Sequence, residues 1–273
     1  MPMRLCTAKA LQPMTAPRDP REPDSPSRHD KALRQYRRRA PYYDLELALF
    51  EPVRRIAIER LSLKPGDVVL DVGCGTGLSM PLLEDCVGTQ GRIVGIEQSP
   101  EMIERARART LHHGWSNVTL LHGEAEAADV AGAIEHAADA ALFHFTHDIL
   151  REPKAVANVL RNLQPGARVV ASGLQWADRW AWPLNLFVLG AALHSVTSLR
   201  GLDQPWSHLG TQIDQLHVDS AMAGAIYVVS GVVRDALRDE APGKASNQRR
   251  RPPSGKRRAK DQPSKGMQQH EDS

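Results

Sequence analysis

The stretch VVLDVGCGTG, residues 68–77, joins a short run of branched apolar residues to three glycines at alternate positions. The apolar run, within 67–73, is typical of a buried β-strand, because Pro65-Gly66 precedes it and the glycines follow. Glycine permits a tight turn and lets the backbone approach a ligand closely. A dinucleotide fingerprint would read G-x-G-x-x-G, whereas residue 78 here is Leu, so the spacing argues against a nicotinamide enzyme.

Helix-like and strand-like segments alternate after this turn. Further strands are predicted at 92–97, 117–122, 138–145 and 168–172, with helices over 78–86, 99–113 and 152–163 between them and a helical stretch over 180–198. This alternation predicts an α/β fold with a doubly wound, mostly parallel sheet. Segments 212–221 and 224–233 are predicted to be two more strands, an antiparallel pair at the sheet edge, which makes the sheet seven-stranded.

The two ends of the chain differ in composition from the part between them. Residues 1–28 carry six prolines and 240–273 have almost no large apolar residue, so we expect a disordered lead and a disordered basic tail around one domain over 29–239. N-terminal helices are predicted over 29–62, broken near Pro41 and Pro52, and a helical lid over about 176–210. The net charge is +6 over 1–40 (10 basic, 4 acidic), −8 over 41–239 (16 basic, 24 acidic) and +5 over 240–273 (9 basic, 4 acidic).

Composition excludes several classes of protein. The 273 residues hold three cysteines and no C-x-x-C pair, which disfavours a disulfide scaffold and a zinc ribbon and favours a cytoplasmic location. No run reaches the roughly 18 apolar residues of a membrane span. The N-terminus lacks the continuous apolar stretch of a signal peptide, so secretion is not expected.

VLDVGCGTG resembles the cofactor loop of the class I S-adenosylmethionine-dependent methyltransferases, which have a Rossmann-like fold, and later motifs agree in order and spacing. Glu97, in VGIEQSPEMIERAR, matches the acidic residue that in this family hydrogen-bonds the ribose hydroxyls. The segment NVTLLHGEAEAADV resembles the one whose acidic residue, here Glu124, meets the adenine amino group, although the family more often has Asp there. ALFHFTHDILREPKAVANVLRNLQPGARVVASG resembles the fourth strand through to the fifth. The resemblance covers roughly residues 36–233.

The resemblance implies S-adenosylmethionine as the cofactor, with Asp71 near its methionine end. A catalytic role for the loop cysteine is not expected. The cofactor-binding residues that the resemblance implies are Asp71, Gly73, Cys74, Gly75, Thr76, Gly77, Glu97, Gln98, Met102, Gly123, Glu124, Ala125 and Phe143.

Acceptor-side residues are expected where the family places its acceptor pocket: before the first strand, after the fourth and after the fifth. Tyr43, in RRRAPYYDLE, matches a tyrosine of a short N-terminal motif that closes over the cofactor in small-molecule, quinone and phospholipid-headgroup methyltransferases. The candidate catalytic residues are Tyr43, His144 and His147, and the candidate substrate-binding residues are Tyr36, Tyr42, Trp176 and Trp180. The two histidines lie three apart without a third ligand, so no metal site is predicted.

Five aromatic residues lie within the 31 positions after the fifth predicted strand: Trp176, Trp180, Trp182, Phe187 and Trp206. The spacing of Trp176 and Trp180 allows them to share a helical face. Two interpretations stay open: the cluster is an apolar lid over the acceptor, or it is the core of its own helices.

We therefore expect an enzyme that methylates a small, apolar or amphipathic acceptor, namely a quinol, phenol, amine or lipid headgroup. RNA or protein methylation and cofactor binding without catalysis remain alternatives. No specific nucleic-acid partner is expected, because no Asn/Asp-Pro-Pro-Tyr/Phe motif is present and the core is acidic. Peripheral contact with a membrane surface stays open, and the chain is expected to be a monomer or homodimer.

Overall fold

The strands and helices follow the alternation predicted from the sequence. The computed structural model describes residues 48–195 and 201–234. The strands are β1 Val68–Val72, β2 Arg92–Glu97, β3 Val118–His122, β4 Ala138–His144, β5 Leu163–Leu174, β6 Ile213–Ala221 and β7 Ile226–Val233. The α-helices are α1 Glu51–Leu61, α2 Met80–Val87, α3 Pro100–His113, α4 His147–Leu150, α5 Pro153–Leu160, α6 Trp182–Ser195 and α7 Ser207–Gly210, and short 3₁₀ turns lie at Ala131–Ala133 and Arg179–Ala181.

One seven-stranded sheet joins all these strands in the order β3-β2-β1-β4-β5-β7-β6. The five strands β1 to β5 are parallel, while β7 runs antiparallel to both of its neighbours, β5 and β6. The predicted mixed sheet with an antiparallel pair at its edge is confirmed, and the reversed strand is β7, one position inside the edge. The strand order reverses direction between β1 and β4, and open α/β sheets bind ligands outside the carboxyl ends of the strands at such a point.

Three boundaries differ from the prediction. The segment 152–163, predicted as one helix, is helical only over Pro153–Leu160, and a separate short helix, α4, precedes it. Strand β5 begins at Leu163, well before the predicted 168. Leu163 already pairs with Ala138 of β4, and the register shifts before Arg168 pairs with Ala140, so the residues around Gly166 (φ +76°) form an irregularity within the strand. Of the helix predicted before the first strand, α1 is the described part. It begins at Glu51 with Pro52 in its first turn, where proline needs no hydrogen-bond donor.

Helices cover both faces of the sheet. On one face, α1 and α2 bury Ala57 and Leu83 against Val69 and Leu142. On the other face, α5 and α7 contribute Val156 and Leu209 to a second apolar cluster. Strands buried on both faces need apolar residues at almost every position, which explains why β1 and β4 are mostly apolar rather than alternating. This burial fixes the carboxyl ends of β1, β2, β4 and β5 along one edge of the sheet.

Among the described residues, no helix combines the length and the apolar character needed to cross a membrane.

Candidate functional site

The glycine loop after β1 is held in a left-handed backbone conformation. Gly73, Gly75 and Gly77 have φ values of +70°, +57° and +80°, which residues with a Cβ adopt only with strain. The Gly73 and Cys74 amides donate to the carbonyl oxygen of Ile96 in β2, at 2.8 and 3.0 Å. Arg109 of α3 donates from its Nε to the carbonyl oxygen of Thr76 at 3.0 Å. The loop is therefore fastened to the elements on either side of it.

Gly73 also allows the segment after β4 to approach the loop. A Cβ added at Gly73 would lie 2.5 Å from Cγ2 of Thr146 and 2.9 Å from Cδ1 of Ile149, both closer than real Cβ contacts. We expect Gly73→Ala to lower the free energy of unfolding by about 2 to 4 kcal/mol, because backbone strain and overpacking add. Urea denaturation measures this change.

Two other glycines serve as controls for Gly73→Ala. Gly66 has φ +96° and open space where a Cβ would be, so Gly66→Ala isolates the backbone cost. Gly123 has open space and no left-handed φ, so Gly123→Ala should be nearly neutral. Equal losses for Gly73→Ala and Gly66→Ala would contradict the close contact with Thr146.

Glu97, at the carboxyl end of β2, joins the glycine loop to the start of α3. Its Oε2 accepts from the Gly75 amide at 3.0 Å and its Oε1 accepts from the Ser99 amide at 2.8 Å. Burial raises the pKa of the Glu97 carboxyl, while the backbone donors act in the opposite direction. The two carboxylate oxygens together carry four lone pairs, and the amides of Gly75, Ser99 and Gln98 use three of them, so the carboxylate keeps acceptor capacity for a further partner.

Asp71 lies at the end of β1 and is 1% exposed. Its Oδ2 has no hydrogen-bond partner among the described residues. Burial raises the pKa of Asp71 to about 7, with the Arg54 guanidinium opposing the rise and Glu97 adding to it. A buried carboxyl oxygen without a partner is unusual in a folded protein and marks a position where a ligand group can bind.

Arg54 of α1 faces the same place and is 2% exposed. Its Nη1 forms an ion pair with Glu51, whereas its Nε and Nη2 are buried without a partner among the described residues. A guanidinium presents its donors in a planar fork that matches a carboxylate. The unused side of that fork is therefore suited to an anionic group.

His144 ends β4, and its Nδ1 lies 2.7 Å from the hydroxyl of Ser172 on β5. Its Nε2 is buried without a partner among the described residues. Burial, with a smaller contribution from Arg54, lowers the pKa of His144 to about 3, so the ring is neutral at physiological pH. The next residue, Phe145, has φ +58° and its ring lies 4.7 Å from that of Phe50 and 4.8 Å from that of His144. This strained turn brings the chain after β4 back towards the glycine loop.

These groups share one small cavity of about 20 Å³, roughly the space of a single water molecule. The structure thus brings together Asp71, the loop and His144 from the predicted set. The cavity is lined by Arg54, Asp71, Gly73, Cys74, Thr76, Leu78, Ser79 and His144.

The other predicted cofactor-binding residues have different environments. Gln98 is half-buried, and its carbonyl oxygen lies 3.2 Å from Nε2 of His122. Gly123 and Glu124 are half-buried in the turn after β3. The remaining three, Met102, Ala125 and Phe143, are buried, so their side chains have almost no exposed surface in this conformation. Burial raises the pKa of the Cys74 thiol well above its usual range, which keeps it protonated and unreactive.

The predicted acceptor-side residues are only partly described. His147 begins α4 and is buried. Trp176 lies in the segment that follows β5, before the 3₁₀ turn that contains Trp180, so the two do not share a helical face. Their exposed fractions are 36% and 75%. Tyr36, Tyr42 and Tyr43 lie outside the described residues.

Sequence reasoning missed two members of this site, Arg54 and Ser172. A signal for Arg54 exists, since it occupies the same helical stripe as the buried Ala57, Ile58 and Leu61 of α1. A charged residue on an apolar stripe demands a partner. Ser172 has no comparable signal, because a small residue in a buried strand is ordinary.

Comparison with known proteins agrees with this geometry. The family model described as a methyltransferase domain matches residues 63–191. The chain is 31% identical over 172 residues to 2-phytyl-1,4-naphtoquinone methyltransferase of Thermosynechococcus vestitus. The matched region covers 58% of this chain and 74% of that protein. It is 29% identical over 195 residues to an uncharacterized 37.1 kDa protein in transposon TN4556 of Streptomyces fradiae, which covers 67% of this chain and 51% of that protein.

The chain therefore spans about half the length of the transposon protein, and it spans 32% and 39% of two further relatives. Among solved structures, a SAM-dependent O-methyltransferase of Thermotoga maritima superposes with a TM-score of 0.50 at 15% identity, covering 67% of this chain and 65% of that one. At this identity the superposition supports the fold alone.

Proposed function

Because the chain belongs to the class I S-adenosylmethionine-dependent methyltransferases, we propose that it transfers a methyl group to a small, apolar or amphipathic acceptor: a quinol, phenol, amine or lipid headgroup. The observation that carries this proposal is the convergence of buried polar atoms without partners, Asp71 Oδ2, Arg54 Nε and Nη2, and His144 Nε2, around one cavity beside the glycine loop. The naphthoquinone named for one relative supports an apolar, ring-bearing acceptor.

The unpartnered atoms match the charges of the methionine part of S-adenosylmethionine. An amino acid end carries an ammonium and a carboxylate, and the site offers one carboxyl and one guanidinium. Asp71 would bind the ammonium, and the free side of the Arg54 fork would bind the carboxylate. Binding would thus relieve the cost of leaving both groups buried without partners.

Glu97 suits a ribose hydroxyl because its two oxygens together have four lone pairs, of which the backbone amides of Gly75, Ser99 and Gln98 use three. The turn from Gly123 to Ala125 follows β3, the next strand along the same edge, and would contact the adenine. These assignments place the cofactor along the carboxyl ends of β1, β2 and β3.

S-adenosylmethionine supplies a methyl group already activated on a sulfonium, so the chain's part is to bind, orient and exclude water. His144 suits the orienting role. Ser172 is fully buried, and its hydroxyl lies 2.7 Å from Nδ1 of His144, a contact that either ring tautomer can make. We propose the tautomer in which the hydroxyl donates to Nδ1 and the ring proton is on Nε2, where it can be donated to an acceptor oxygen. With a pKa of about 3, His144 is a weak base, so we assign it hydrogen-bond donation.

Two measurements test this function on the full chain. Calorimetric titration with S-adenosylmethionine and S-adenosylhomocysteine should detect binding that Glu97→Ala weakens by about 1.5 to 3 kcal/mol, the size of hydrogen bonds to a charged group. Transfer of a labelled methyl group should then be found with at least one of the quinols, phenols, amines or phospholipids tested. His144→Ala should slow this transfer while keeping cofactor affinity, whereas His208→Ala, at an exposed histidine of α7, should change neither.

Two outcomes would overturn the proposal. Failure to bind either S-adenosylmethionine or S-adenosylhomocysteine would contradict the proposal that the chain transfers methyl groups. Transfer to an RNA or a protein, but to no small molecule, would leave the enzyme class intact and show that the acceptor class is wrong.

A further inference from the structure

Large apolar side chains are exposed at the start of α6 and in the 3₁₀ turn before it. The 20 positions from Trp180 to Leu199 contain no Asp, Glu, Lys or Arg. Within this segment Trp180, Trp182 and Leu186 are 75%, 66% and 63% exposed. Single exposed apolar residues are common in proteins, but a group with two tryptophans on an uncharged segment marks an interaction surface.

The inner side of α6 is firmly attached. Asn185 accepts from the amide of Ala177 at 2.7 Å and donates to the carbonyl oxygen of the same residue at 3.3 Å. Val188 is fully buried in a cluster with Ala177 and Ala225, and Leu184 packs against it. Trp182 and Leu186 are four apart on the opposite side and so lie on one face. Trp182 and Leu186 are therefore exposed even though the other side of α6 packs against the domain.

This surface lies near the carboxyl ends of the parallel strands, where the candidate site also lies. The segment leading to α6 leaves β5 at Leu174, the same end at which β1 and β4 deliver the glycine loop and His144. The amide of Asp178 donates to the carbonyl oxygen of Ala223 at 3.2 Å, which ties this segment to the β6–β7 turn. Met222 in that turn is 51% exposed.

We propose that this surface, formed by Trp180, Trp182, Leu186 and Met222, docks the protein on an anionic phospholipid membrane. Tryptophan is favoured at the interface between headgroups and acyl chains, and an uncharged apolar helix face with aromatic residues suits insertion to that depth.

The basic ends of the chain support the same partner. The segments 1–40 and 240–273 carry +6 and +5, whereas 41–239, which contains the surface, carries −8, so the attraction to anionic headgroups comes from the two ends. Basic segments add attraction to anionic headgroups, and two weak signals together give stable attachment where either alone is marginal. The docking does not depend on the acceptor proposed above, although an acceptor dissolved in the bilayer would reach the site from this side.

Co-sedimentation with vesicles tests the proposal. The full chain should bind vesicles of equimolar phosphatidylcholine and phosphatidylglycerol more strongly than phosphatidylcholine alone, with a blue shift of its tryptophan emission. The triple variant Trp180→Ser, Trp182→Ser, Leu186→Ser should lower the partition coefficient about ten-fold or more. Leu111→Ser, at a leucine of α3 that is 80% exposed, is the matched control and should bind as the native chain does.

Three results would overturn the proposal: no binding to either vesicle, equal binding of the triple variant, or a dimer in sedimentation equilibrium that the triple variant abolishes. Quenching by acrylamide without vesicles adds a check, since shielded tryptophans would mean that another part of the chain covers the surface. The affinity for S-adenosylmethionine, measured on each variant, separates failure of docking from failure of the proposed function.

Discussion

Asp71→Asn should weaken the binding of S-adenosylmethionine by roughly 10- to 150-fold at pH 7.5, the loss expected when one hydrogen bond to a charged group disappears. The carboxyl oxygen Oδ2 is buried without a partner in the described residues, so it is available to a cationic ligand group. Asparagine keeps the size of the side chain but lacks the charge. Calorimetry measures the change, and Asp85→Asn, at an exposed carboxylate of α2, is the matched control.

The pH dependence of this binding has a definite sign. The groups that face Asp71 are Arg54 from α1, Glu97 from β2, Cys74 from the loop and the neutral His144 from β4. Burial raises the pKa of Asp71 to about 7, so the carboxyl is mostly protonated at pH 5.5 and mostly ionised at pH 7.5. Only the ionised form pairs with an ammonium. Native affinity should therefore increase across this interval, and Asp71→Asn should remove the increase.

The same shift affects stability. Since the native pKa of Asp71 is raised from 3.8 to about 7, the native state binds more protons than the unfolded state between these values. The free energy of unfolding contributed by this group is thus fully present below pH 3.8 and is lost as the pH rises through about 7. Asp71→Asn should remove this decrease in the free energy of unfolding.

A native chain whose cofactor affinity stays constant from pH 5.5 to 7.5 would show that Asp71 does not pair with the ligand.

The strands were predictable because burial on both faces gives them a distinct sequence. β1 and β4 are runs of apolar residues bounded by turns or polar segments, and their bounds came within a residue or two. β5 was less predictable, since its irregular start around Pro165-Gly166 has the composition of a turn. Turn-forming residues can lie inside a strand when a neighbouring strand provides their hydrogen-bond partners. Whether a neighbour does so depends on tertiary contacts, which the local sequence does not show.

The positions of the glycine loop after β1 and of Glu97 at the end of β2 were predictable because each has a local sequence signature. The cluster around them was not, because it depends on pairs that are distant in sequence. His144 meets Ser172 only because the register of β4 and β5 sets these residues opposite each other. The aromatic segment after β5 shows the same limit, since composition alone left lid and core as alternatives, whereas Trp180 and Trp182 are exposed.

Arg54→Met should weaken cofactor binding about 100-fold and leave the free energy of unfolding unchanged or raised. A guanidinium with two buried, unpartnered nitrogens stabilises the apo fold poorly, and an apolar side chain of similar length fills the same space. The ligand carboxylate would lose a forked, charge-assisted partner. Arg55→Met is the matched control, because Arg55 also pairs with Glu51, at 3.1 Å, but is 58% exposed.

A second readout separates ligand binding by Arg54 from a purely structural role. Arg54 lowers the pKa of Asp71, so its removal should move the pH-dependent rise in affinity to higher pH. Arg54→Lys should recover part of the affinity and keep the midpoint, since a lysine restores the charge without the fork. A variant that loses several kcal/mol of stability yet binds the cofactor normally would contradict the assignment. In that case the buried guanidinium would serve the packing of α1 on the sheet, and another group would have to bind the carboxylate.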